Sequence, residues 1–142
     1  MKIKVLLVDD EQQFVETLAQ RLETRGFVVD TALDGDRCLA ILMDKDMDVV
    51  VLDVQMPGRS GIDTLKEIKK LRPLSEVIML TGHATVETAI EGMKLGAFDY
   101  LMKPTEIDEL VDKINRAYKR KAEHEDRIRQ ATIDKIAKTR GF

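Results

Sequence analysis

This 142-residue sequence predicts an α/β fold, a parallel sheet covered on both faces. Three observations point there. Short, almost purely apolar runs alternate with stretches whose apolar residues recur at helical spacing. The alternation repeats five times, the pattern of strand–helix units wound into one sheet. Three of the runs carry almost no polar residue, as strands buried on both faces do.

Taken in order, Ile3 to Val8 (IKVLLV) is the first strand and stops at Asp9-Asp10. Phe14, Val15, Leu18, Ala19 and Leu22 then share one helical face, and Arg25-Gly26 closes that helix with the residue type usual after a C-cap. Phe27 to Ala32 is a second strand, more polar because it carries Asp30 and Thr31, and Asp34-Gly35 turns into a short helix containing Cys38, Leu39 and Leu42. Asp48 to Asp53 (DVVVLD) is the third strand. Met56 to Gly61 (MPGRSG) is a loop by its proline and glycines. Ile62, Leu65 and Ile68 mark the next helix, and Val77 to Leu80 (VIML) the fourth strand. Val86, Ala89, Ile90 and Met93 repeat at helical spacing, and Phe98 to Leu101 is a short fifth strand. Ile107, Leu110, Val111, Ile114, Ala117 and Tyr118 form the clearest helical stripe.

Strands one, three and four are the apolar ones and belong in the middle; two and five are shorter or more polar and belong at the edges. Right-handed crossovers then allow the order 2-1-3-4-5, a flavodoxin-like doubly wound sheet with five helices. Such a sheet binds ligands in the crevice between the carboxyl ends of strands one and three.

Composition narrows the function. Hydrophobic residues at 44% can build one core, and a net charge of −3 gives no bias toward nucleic acid. One cysteine excludes a disulfide framework, and no Cys/His cluster has zinc spacing. No apolar run is long enough to span a membrane, and Met1 to Lys4 leads straight into a strand without a secretory signal. A cytoplasmic protein with no membrane partner is expected. Cys38 reads as a small buried hydrophobe.

The crevice mouth collects the chemistry. Strand one ends in Asp9-Asp10 followed by Glu11, strand three in Asp53, strand four in Thr81-Gly82 and strand five in Lys103-Pro104. Taken singly, each has an ordinary reading: helix cap, turn residue or loop dipeptide. Together, carboxylates this close repel unless a cation neutralises them, and oxygen ligands without Cys or His suit Mg2+. A hydroxyl and an ammonium beside it would cradle phosphoryl oxygens.

The segments VLLVDD (Val5 to Asp10), VVLDVQMPGRSG (Val50 to Gly61), MLTGHA (Met79 to Ala84) and GAFDYLMKP (Gly96 to Pro104) resemble a receiver domain of bacterial two-component response regulators. The last two are most similar to receivers of sigma-54-type regulators. The resemblance covers residues 1–120 and leaves 121–142 as a helical or flexible tail. It implies Asp53 as phosphoacceptor and Mg2+ bound by Asp10, Asp53 and the backbone carbonyl of Gln55, with Asp9 acting through water. It further implies Lys103 on the phosphoryl oxygens across a cis peptide to Pro104. Thr81 and Tyr100 would be the coupled switch, and Gln55 and His83 would tune hydrolysis of the acyl phosphate. The implied function is a phosphorylation-activated signalling switch, not an enzyme in the usual sense beyond assisting its own phosphorylation and dephosphorylation. Its implied partners are a sensor histidine kinase or phosphotransfer protein. On the output side stands a downstream protein or a second copy, met through the face of helix four, strand five and helix five.

Two other readings stand beside it. A Mg2+-dependent small-substrate phosphatase or phosphotransferase would normally place its attacking Asp after the first strand. A docking-only relative would tend to lack the Asp or the Lys, and both are present. The chain is either a single-domain regulator or the receiver of a larger transcriptional regulator. Residues 119–142 hold eight Lys/Arg and four Asp/Glu, with no aromatic before Phe142, a poor nucleic-acid tracker. They read as a solvated extension of the last helix. Continuing its seam puts Lys121 and His124 at core positions, which argues against a continuous coiled coil.

Overall fold

A computed structural model describes residues 2–82 and 85–139. The elements are β1 (Lys4–Val8), α1 (Gln12–Glu23), β2 (Val28–Ala32), α2 (Gly35–Asp44), β3 (Val49–Leu52), α3 (Gly61–Leu71), β4 (Glu76–Thr81), α4 (Val86–Lys94), β5 (Asp99–Met102) and α5 (Ile107–Thr139). All four pairings are parallel and the order is β2-β1-β3-β4-β5, as expected.

Alternation along the central strands divides the core into two layers. Leu6, Val8, Val50, Leu52, Val77 and Met79 face α2 and α3, where Cys38, Leu42, Leu65 and Ile68 meet them. Val5, Leu7, Val49, Val51, Ile78 and Leu80 face α1 and α5, against Val15, Leu22, Leu110, Ile114 and Ala117. Local signals start the helices. Asp34 accepts the Arg37 amide at 2.7 Å, Ser60 accepts that of Asp63 at 3.1 Å, and Thr85 and Thr88 form a reciprocal capping box.

Three details depart from the expected outline. The fifth strand lies one residue later, because pairing with β4 sets Thr81 opposite Met102. The apolar stripe of α4 does not seat on the sheet. Gly92 is its buried residue, and a Cβ there would collide with Met79, so Val86, Ile90 and Met93 are left outward. Finally, in the stretch expected to be solvated, Lys121 keeps the core-facing position its spacing gives and is buried. Its ammonium lies 3.1 Å from Asp48, 3.3 Å from Glu125 and 3.6 Å from Asp46, so charge pairing replaces apolar packing as α5 passes the amino end of β3. Among the described residues, no helix is long and apolar enough to cross a membrane.

Candidate functional site

The acidic pair follows β1 directly, and neither residue is consumed as a cap. The N-cap position of α1 is Glu11, whose side chain makes no capping bond, while Asp9 Oδ1 accepts the Glu11 amide at 3.0 Å. Asp53 lies one residue past β3, where its amide donates to the Val8 carbonyl at 2.9 Å and so fixes it beside Asp9. On the other side the start of α3 presses on the same backbone. A Cβ at Gly61 would collide with the Asp53 carbonyl, so only glycine allows this approach.

The carboxylates of Asp9, Asp10 and Asp53 present oxygens that all lie within 4.8 Å of one another. Asp9 and Asp53 are each 4% exposed, whereas Asp10 faces solvent. Beside them opens a cavity of about 510 Å³ bordered by Asp10, Asp53, Gln55 and Ser60. Lys103 follows β5, its amide donating to the Thr81 carbonyl at 2.8 Å, and the Lys103-Pro104 peptide is cis as expected. Its ammonium hydrogen-bonds Asp9 and stands 3.4 Å from Glu11 and 3.9 Å from Asp53.

Both partners of the tightest pair have raised pKa values, with opposite consequences for their charge. Burial raises the Asp9 carboxyl above its ordinary value, despite the Lys103 bond and the Glu11 amide that oppose it. Burial works against charge on Lys103 too, yet the bond to Asp9 and the fields of Asp9, Asp53 and Glu11 outweigh it, and its pKa is raised. One cation shared by three carboxylates gains from all of them, whereas Asp9 exchanges full hydration for a share of one cation. The cluster therefore keeps excess negative charge. Hard oxygen donors around uncompensated charge suit a small divalent cation.

Thr81 is fully buried at the end of β4. Tyr100 is half-buried on β5, its hydroxyl 3.6 Å from Met102 Sδ and near the Thr88 side chain of α4. The structure thus brings Asp9, Asp10, Asp53 and Lys103 together, with Thr81 on the adjoining strand end and Tyr100 toward α4. Gln55 is exposed at the rim, its amide 3.4 Å from Asp53 Oδ1. His83 lies outside the described residues. Periodicity marked Phe14 as a core position, yet its ring also stacks under the Lys103 ammonium, 4.3 Å from its centroid. The available signal was its place one helical turn beyond Asp10.

The response regulator receiver domain family matches residues 5–115. The chain belongs to that family. ZraR, a transcriptional regulatory protein of Salmonella typhimurium, is 40% identical over 116 residues, covering 82% of this chain and 26% of that protein. CpxR, a transcriptional regulatory protein of Klebsiella pneumoniae, is 43% identical over 117 residues, covering 82% of this chain and 50% of that protein. A receiver domain crystal structure from Clostridium thermocellum superposes with a TM-score of 0.81 at 42% identity, covering 84% of this chain and 97% of that one. The receiver chain therefore spans a quarter to a half of these curated relatives. A phosphorylation-activated signalling switch is the function these likenesses support, and they give none to the small-substrate phosphatase.

Proposed function

We propose that this receiver takes a phosphoryl group on Asp53 from a phosphohistidine of a sensor kinase or phosphotransfer protein, and transmits it as a change of surface. The observation that carries the assignment is the convergence of three carboxylates within 4.8 Å beside the Lys103 ammonium. Asp10 and Asp53, with the Gln55 backbone carbonyl and Asp9 through water, would hold Mg2+. Bound there, Mg2+ would neutralise charge on the acceptor carboxylate and on the phosphoryl oxygens.

An oxygen of ionised Asp53 attacks phosphorus; the new O–P bond forms as the P–N bond breaks, and the imidazole leaves with its electron pair and takes up a proton. Such transfers depend on positioning and charge neutralisation more than on covalent machinery. Lys103 supplies a fixed positive charge at the mouth. Thr81 donates its hydroxyl to the attached group, and Tyr100 follows into the space that it leaves. The α4–β5–α5 face then changes toward a downstream protein or a second copy. A full reversal of the population requires about 5 kcal/mol of differential stabilisation. Water later hydrolyses the acyl phosphate, with Gln55 and His83 setting its access, so the domain assists its own cycle without turning over a separate substrate. It would act in the cytoplasm.

Incubation with acetyl phosphate and Mg2+ followed by intact-mass measurement tests this reading. One phosphoryl group is expected on the wild type and none on Asp53→Asn or in excess chelator. Undiminished labelling of Asp53→Asn overturns the assignment.

A further inference from the structure

The Lys103 ammonium has two unlike sides. One side is carboxylate: Asp9, Glu11 at 3.4 Å and Asp53 at 3.9 Å. The other is the Phe14 ring, with its centroid 4.3 Å from Nζ. Phe14 projects from α1, half-buried against the layer formed with α5. With Leu18, Leu80, Pro104 and Ile107 it walls a largely apolar cavity of about 240 Å³ that Lys103 and Arg21 also line. The ring covers one side of the cation and offers it the negative face of a quadrupole.

The two sides respond differently to the phosphorylation cycle. On the carboxylate side both buried partners change: Asp53 gains a phosphoryl group, and a cation bound to the acidic cluster competes with Lys103 for Asp9. Glu11 is no anchor, since its side chain is 66% exposed and would draw the lysine outward. The ring is neutral, and its attraction for the ammonium survives all these changes. We propose that Phe14 is a positioning residue for Lys103, holding the ammonium at the mouth of the site, turned toward Asp53, while its carboxylate partners are taken by other ligands. This inference rests on the reading of Asp53 and Lys103 given above.

The test separates ring electronics from packing. Phe14→Leu keeps apolar bulk without a π face and is expected to slow labelling by acetyl phosphate about 3- to 10-fold, while Phe14→Tyr stays within about 2-fold of wild type. Because the leucine variant also changes packing, the deciding series carries 4-fluoro- and 3,4,5-trifluorophenylalanine at position 14. Its rates should fall stepwise with fluorine count at unchanged melting temperature. In the unphosphorylated protein, the Lys103 ε-methylene protons should show an upfield ring-current shift that Phe14→Leu abolishes. Wild-type rates in the fluorinated proteins, or equal slowing in the leucine and tyrosine variants, would overturn the proposal. Failure of the wild type to be labelled at all would instead overturn the Asp53 assignment, and the ring-current shift would still report whether Phe14 holds the lysine.

Discussion

Opposite ends of one sheet carry the same motif, a lysine ammonium among three carboxylates. At the carboxyl end Lys103 meets Asp9, Glu11 and Asp53; at the other end Lys121 meets Asp46, Asp48 and Glu125. What differs is the remaining charge. Near Lys121, Glu76 has two cations of its own, Arg120 and Lys69, and Arg120 also covers the Phe98 ring. Near Lys103, no lysine or arginine of the described residues is within ion-pair distance of Asp10, and a cavity opens over the cluster. A nearly balanced network, four carboxylates against three cations, locks a helix to the sheet, whereas an unbalanced one beside open space suits a further cation.

Replacing each lysine by methionine breaks the comparison most directly. Lys103→Met should slow phosphoryl incorporation about 100-fold or more, since a preorganised charge facing the transferring group is lost. Lys121→Met should leave that rate unchanged and lower the unfolding free energy by about 1 kcal/mol, because partly exposed carboxylates lose their buried cation. Timed intact-mass spectra and denaturant titrations read the two effects; comparable slowing by Lys121→Met would erase the distinction.

The pH dependence of the Lys121 network sharpens it. Burial opposes charge on this lysine, but the bond to Asp48 and the fields of Asp48, Asp46 and Glu125 raise its pKa above the ordinary 10.5. A raised cationic group stabilises the fold fully below its unfolded value, and that contribution is lost as pH rises through the folded one. The stability gap between wild type and Lys121→Met should therefore be flat near neutrality and shrink above pH 10.5. A gap constant through that range would mean that packing of the lysine stem, not its charge, holds the helix.

The smallest effect belongs to Asp9. With its pKa raised above 3.8, its ionised form is disfavoured by folding, so this group's contribution improves as pH falls through the folded value. At neutral pH in chelator, Asp9→Asn should raise the unfolding free energy slightly and reduce the stabilisation that Mg2+ confers. Loss of stability in chelator would contradict the excess of negative charge at this end.

By itself the sequence determined the order of strands and helices, the central and edge strands, and which residues end each strand, because these follow from local periodicity and from the polarity of each run. It also placed Asp9, Asp10, Asp53, Thr81 and Lys103 at one end, since parallel strands all terminate on the same side. Only the tertiary structure decided the rest. The 4.8 Å convergence of the acidic group depends on Asp53 being pinned to Val8 and on α3 approaching at Gly61. Lys121 read as a break in an apolar seam, because its partners Asp46 and Asp48 lie more than seventy positions earlier in the chain. The α4 stripe read as one face of a helix, yet which face meets the sheet was set by the room that Met79 takes under Gly92. Phe14 sits on the apolar face of α1, and its second contact exists only because the lysine that follows β5 reaches across to that helix. Each of these joins residues distant in sequence, where spacing carries no signal and geometry alone decides which charges are left unpaired.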